Sequence, residues 1–99
     1  MAAAKVGLWV MLEAKPGKEA QVEQFLRDAL PLARAETTTV SWYAIKLKAN
    51  TFGIFDTFAD DTGRDAHLNG PIAKALMSKA NELLAQPPRI EKIDLLAAK

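Results

Sequence analysis

His67 is the only histidine among 99 residues, and histidine is the one side chain whose ordinary pKa lets it exchange a proton near neutral pH. A carboxylate beside such a ring fixes its tautomer and stabilises the imidazolium, and Asp56 is the candidate partner. Trp42 and Phe58 supply flat apolar surfaces that could hold an aromatic ring away from water. Each residue also has a plainer reading. A lone histidine on a short helix often caps it or faces solvent, Asp56 could pair with a Lys or Arg at the core edge, and the two aromatics could be core. Other chemistries lack their residues. There is no cysteine, which removes disulfides, thiolate metal sites and a thiol nucleophile. One histidine supplies neither a two-histidine facial triad nor a tetrahedral site, and no glycine-rich phosphate loop follows a strand, so no metal or cofactor is expected.

These residues must be positioned by a single domain, residues 1–99, with room for one modest core. Val6 to Leu12 is β-branched, aromatic or aliphatic and ends at Lys15-Pro16-Gly17, a strand followed by a turn. From Ala20 to Ala33 apolar residues recur at helical spacing opposite Lys18, Glu19, Glu23, Gln24, Arg27 and Asp28, which predicts one helix ending near Pro31 to Ala35. Thr37 to Leu47 and Thr51 to Phe58 read as a hairpin joined at Ala49-Asn50. Asp60-Asp61-Thr62 offers N-cap chemistry for a short helix reaching Leu68, and Asn69-Gly70 ends it. Pro71 suits the first turn of a last helix, with Ile72, Ala75, Leu76, Ala80, Leu83 and Leu84 inward. Pro87-Pro88 stops it, and Ile90 to Leu96 reads as the fourth strand. The order βαββαβ predicts an α+β, ferredoxin-like fold with a four-stranded antiparallel sheet.

Thirteen basic and twelve acidic side chains are interspersed and give a formal charge of +1, so neither a nucleic acid nor an anionic membrane is an expected partner. The longest apolar run, Val6 to Leu12, is too short to span a bilayer, and Met1 to Lys5 lacks the features of a signal peptide. A cytoplasmic location is the expectation.

Strand alternation gives each strand two faces. One carries Val6, Leu8, Val10, Leu12, Val40, Trp42, Ala44, Phe52, Ile54, Asp56 and Phe58. The other carries Trp9, Met11, Tyr43, Ile45, Leu47 and Phe55, with Ile93 expected to join them. Two helices cover only one face, and leaving the second in water would expose a patch larger than monomers usually tolerate, so a homodimer is expected.

The stretch Thr51-Phe52-Gly53-Ile54-Phe55-Asp56-Thr57-Phe58-Ala59-Asp60, then His67-Leu68, the opening Leu12-Glu13-Ala14-Lys15-Pro16-Gly17-Lys18 and the Trp42-Tyr43 strand together resemble the antibiotic biosynthesis monooxygenase family. The likeness is to its small quinol-monooxygenase-like members and spans nearly the whole chain. It implies a dimeric α/β barrel with a pocket between each sheet and its helices. Val10, Trp42, Ile54, Asp56 and Phe58 would line that pocket, overhung by His67 and Leu68. The implied activity is cofactor-independent oxygenation of quinol, phenol or anthrone-like rings, with His67 as base and Asp56 as its orienting partner. Members are diverse in activity, and an isomerase, another proton-transfer enzyme or a non-catalytic ligand-binding dimer also fits the residues. Haem is disfavoured, because Phe58 stands where the haem-degrading branch has a tryptophan and His67 lies early in the helical segment.

Overall fold

A computed structural model describes residues 3–99; the reading of the leader at Met1 and Ala2 lies outside them. The strands are β1 (Val6–Glu13), β2 (Thr39–Lys48), β3 (Thr51–Phe58) and β4 (Arg89–Asp94). The helices are α1 (Glu19–Asp28), α2 (Leu30–Ala35), α3 (Asp61–Leu68) and α4 (Pro71–Leu83). The sheet runs β2-β3-β1-β4 with every neighbour antiparallel, the α+β ferredoxin-like arrangement expected from the sequence.

Turn chemistry sets the element limits. Gly17 takes φ 84°, a left-handed conformation suited to glycine, where the chain turns from β1 toward α1. Asp60 caps α3 by accepting from the Gly63 N–H at 3.0 Å, and Pro71 starts α4, where its missing N–H costs nothing.

Three boundaries differ from the sequence reading. The first helix divides into α1 and α2 at Ala29, because Pro31 cannot donate to the Arg27 carbonyl. β2 begins at Thr39, not Thr37, because the Glu36 side chain is drawn into the interior and the chain turns at Thr37 and Thr38 before extending. β4 ends at Asp94; Leu95 donates once more to the Lys5 carbonyl, and Leu96 is 98% exposed beyond the sheet.

The core lies between the helices and one sheet face. Val10, Leu12, Phe52 and Ile54 pack with Val22 and Leu26 of α1 and Leu76, Ala80 and Leu83 of α4, Ile72 packs with Ala29 and Ala33, and Leu8 and Phe58 are buried as well. α3 packs close at one end because Gly63 has no side chain, and a Cβ there would come within 3.1 Å of the Thr38 carbonyl. Arg64, also buried, ties α3 to the sheet, donating to the Gly7 carbonyl at 3.3 Å, to the Ile93 carbonyl at 3.2 Å and to Asp61 Oδ1 at 3.0 Å.

Nothing among the described residues covers the opposite face. Trp9, Phe55 and Tyr43 stand in one row across β1, β3 and β2, with Tyr43 stacked on Phe55 at 6.3 Å and 56% exposed. Met11, Ile45 and Ile93 lie half-buried around them, and the indole of Trp9 lies across Gly53. No helix among the described residues is long and apolar enough to cross a membrane.

Candidate functional site

Alternation along β3 points Asp56 to the same side as Ile54 and Phe58, so a carboxylate enters the apolar interior with no exposed surface. An isolated ionised carboxylate in such a place is strongly disfavoured and needs a compensating group. His67, in the last turn of α3, supplies it. Its Nε2 is 2.9 Å from Asp56 Oδ2, although the approach is out of line for a directed hydrogen bond and acts as a charge contact. Its Nδ1 is 2.6 Å from Oε1 of Glu36, a residue the sequence reading did not single out. The Thr39 hydroxyl also donates to Glu36 Oε1, at 2.6 Å, and Phe58 closes one side of the imidazole with ring centroids 5.4 Å apart.

The outcome is a chain of three side chains, Glu36, His67 and Asp56, from the α2–β2 connection, α3 and β3. His67 and Asp56 are thus brought together as expected. Burial alone would lower the His67 pKa, but the close Asp56 carboxylate and the hydrogen-bonded Glu36 carboxylate together outweigh it and hold the ring above its ordinary value of 6.5. Both ring nitrogens face carboxylates, so the imidazolium suits this setting better than the neutral ring. The carboxylates flank the imidazole from opposite sides and do not converge on one point. Correspondingly, no group of three or more such side chains among the described residues could hold a metal ion.

A raised folded-state pKa fixes a sign. The stability that protonated His67 contributes is complete below the unfolded value of about 6.5 and is lost as pH rises through the higher folded value. Urea unfolding from pH 5.5 to 9 is therefore expected to show a falling midpoint in the wild type and a flatter one in His67→Gln. Parallel curves would refute the assignment.

Of the residues expected to line a pocket, Trp42 borders open space. Val10, Ile54, Asp56 and Phe58 are packed in the core, and Leu68 is half-buried on α3. Two clefts meet at Trp42. The larger, about 690 Å³, lies between α1 and β2, with Leu26, Leu30, Trp42 and Phe52 among its walls. The smaller, about 210 Å³, shares Leu30 and Trp42 and reaches Glu36, Thr39 and Ser41. Two buried polar atoms near this junction lack hydrogen-bond partners, Glu36 Oε2 and Trp42 Nε1. Glu36, not His67, is therefore the member of the chain that borders a cleft.

Glu36 carries no sequence signal, because its contact with His67 bridges 31 positions and depends on how closely α3 packs. Arg64 was missed for the same reason, since the partners that bury it are backbone carbonyls of β1 and β4, distant in sequence.

No family model matches the sequence, and no curated protein matches it either. Among solved structures, a protein of unknown function from Nitrosomonas europaea is 59% identical, with TM-score 0.95 over 97% of this chain and 93% of that one. A protein provisionally named an antibiotic biosynthesis monooxygenase, from Caulobacter crescentus, is 18% identical with TM-score 0.79, covering 95% and 92%. Another described as an antibiotic biosynthesis monooxygenase is 15% identical with TM-score 0.80, covering 93% and 99%. At these lower identities the likeness is one of fold. The chain belongs to one family with the Nitrosomonas europaea protein and has the antibiotic biosynthesis monooxygenase fold.

Proposed function

We infer that this protein is a cofactor-independent monooxygenase acting, as a homodimer, on small aromatic molecules with an acidic hydroxyl, of the quinol, phenol or anthrone kind. The observation that carries the reading is the carboxylate-imidazole-carboxylate chain of Glu36, His67 and Asp56, whose Glu36 end lines the smaller cleft with Trp42 and keeps a buried Oε2 that has no hydrogen-bond partner.

Dioxygen is a ground-state triplet, so a substrate that reduces it without flavin or metal must first become electron-rich. Removing the hydroxyl proton does this. With His67 neutral and Nδ1 free to accept, the Glu36 carboxylate takes that proton, and rotation of the resulting carboxyl presents the same proton to Nδ1, so the charge comes to rest on an imidazolium held by Asp56. Glu36 is then the conduit and His67 the store, so the effective base strength is that of the raised imidazole. For an anthrone-like ring the methylene becomes a carbonyl: one oxygen atom enters the product and the other leaves as water with the two methylene hydrogens. The substrate supplies all four electrons.

A second copy completes the assembly by covering the open face around Trp9, Phe55 and Tyr43, an apolar surface that water disfavours.

Oxygen consumption with anthrone or a naphthoquinol, measured with chelator present and no flavin added, tests the chemistry. Turnover is expected to climb with pH as His67 loses its proton, and Glu36→Gln is expected to lower kcat about a hundredfold or more while the protein stays folded. No uptake above the spontaneous rate, or uptake indifferent to Glu36→Gln, would overturn the reading. Exchange of substrate hydrogen for solvent deuterium without oxygen loss would point instead to a proton-transfer enzyme.

A further inference from the structure

The far end of the larger cleft differs in chemistry from the end near Glu36. Trp42, Ala44 and Lys46 alternate onto the helix-facing side of β2, and at about 3.3 Å per residue the Lys46 backbone stands about 13 Å from that of Trp42. Ala44 between them has almost no side chain, which leaves a floor wide enough for a bicyclic ring. Phe52 pairs with Lys46 across the strands, and the Lys46 ammonium sits 5.9 Å from the Phe52 ring centroid. Leu26 and Leu30 form the opposite wall.

At the rim two cations converge on one carboxylate. Arg27 Nη2 is 3.0 Å from Glu23 Oε2, and Lys46 Nζ is 3.2 Å from Glu23 Oε1. Glu23 is held below the usual carboxylate range by hydrogen bonds from Arg27 and then Lys46, so a carboxylate is already stabilised there. The rim carries one more positive charge than negative, and an incoming anion can take Glu23's place or share its partners.

We propose that this cleft takes a flat aromatic ring bearing a carboxylate, with the ring over Ala44 against Trp42 and Leu30 and the carboxylate between Arg27 and Lys46. The substrate class narrows accordingly to aryl carboxylates whose hydroxyl lies at the end remote from the acid. That orientation rests on the reading of Glu36 given above, whereas the binding itself does not.

Calorimetric titration under nitrogen, which prevents turnover, compares 6-hydroxy-2-naphthoate with 2-naphthol. The naphthoate is expected to bind about tenfold more tightly in low salt and to lose most of that margin at high salt. Arg27→Gln and Lys46→Gln should each weaken the naphthoate about fivefold and leave 2-naphthol unchanged. Glu23→Gln, which removes the competing carboxylate, should tighten the naphthoate by a similar factor. Equal affinity for the two ligands, no binding of the naphthoate, or variants that weaken both ligands alike would overturn the proposal. Selective naphthoate binding without later oxygen uptake would leave the anion site standing and remove the oxygenase reading.

Discussion

Replacing His67 with alanine lowers the unfolding free energy by about 3–5 kcal/mol, the scale seen when one partner of a buried charge group is removed. Asp56 is wholly buried, and the Glu36 side chain retains only 12% exposure, so the variant leaves two enclosed carboxylates with no cation between them. The contact with Phe58 is lost as well, which adds a cavity cost. The measurement is the urea midpoint of wild type and variant at pH 6, where the imidazolium is present. A second comparison separates charge from packing. Adding Asp56→Asn and Glu36→Gln to His67→Ala removes the uncompensated charges, and part of the lost stability returns. The three changes are therefore non-additive by about 1–3 kcal/mol. A loss below about 1 kcal/mol for His67→Ala, or strict additivity, would show that the chain contributes little to the folded state.

The second large effect concerns the open sheet face. Tyr43→Asp alters a residue already 56% exposed in the single chain, so its cost to folding is small, within about 0.5 kcal/mol. If two copies close over the row of Trp9, Phe55 and Tyr43, the same change buries a carboxylate from each subunit in an apolar interface, and association weakens by more than about a hundredfold. Sedimentation at micromolar concentration should show the wild type at twice the 10.8 kDa chain mass and the variant at the chain mass. A wild type that sediments as a single chain would remove the homodimer and leave that face to another partner.

Much of the fold was legible in the sequence because its punctuation is local. Lys15-Pro16-Gly17, Ala49-Asn50, Asp60 and Pro71 act within a few residues of themselves, and the structure turns or caps at each. Period-two alternation likewise placed Asp56 and Trp42 on one side of the sheet. Pro31 was visible too, but whether it ends a helix or starts a new segment depends on packing around Ala29 and Ala33, both buried. The site was legible by half. His67 and Asp56 stood out by residue type, whereas Glu36 is one of twelve acidic residues and becomes distinctive only when α3 settles against the turn before β2. The clefts were not legible at all, since they depend on how far α1 leans from β2 over Ala44.

Activity and stability depend on His67 with opposite pH trends. Deprotonating His67 readies the chain to accept a proton while removing a cation that the fold uses. Rate and stability are thus expected to move apart over the same pH interval, and coincident rises in both would contradict the shared assignment.

The outermost place of β2 also bears on solubility. A ten-residue border strand is a template onto which further chains could stack into fibrils. Here Lys46 and Lys48 set like charges along that border, and register irregularities at both of its ends bend it away from the flat geometry that stacking requires. The strand that frames the cleft is thereby built to resist polymerisation.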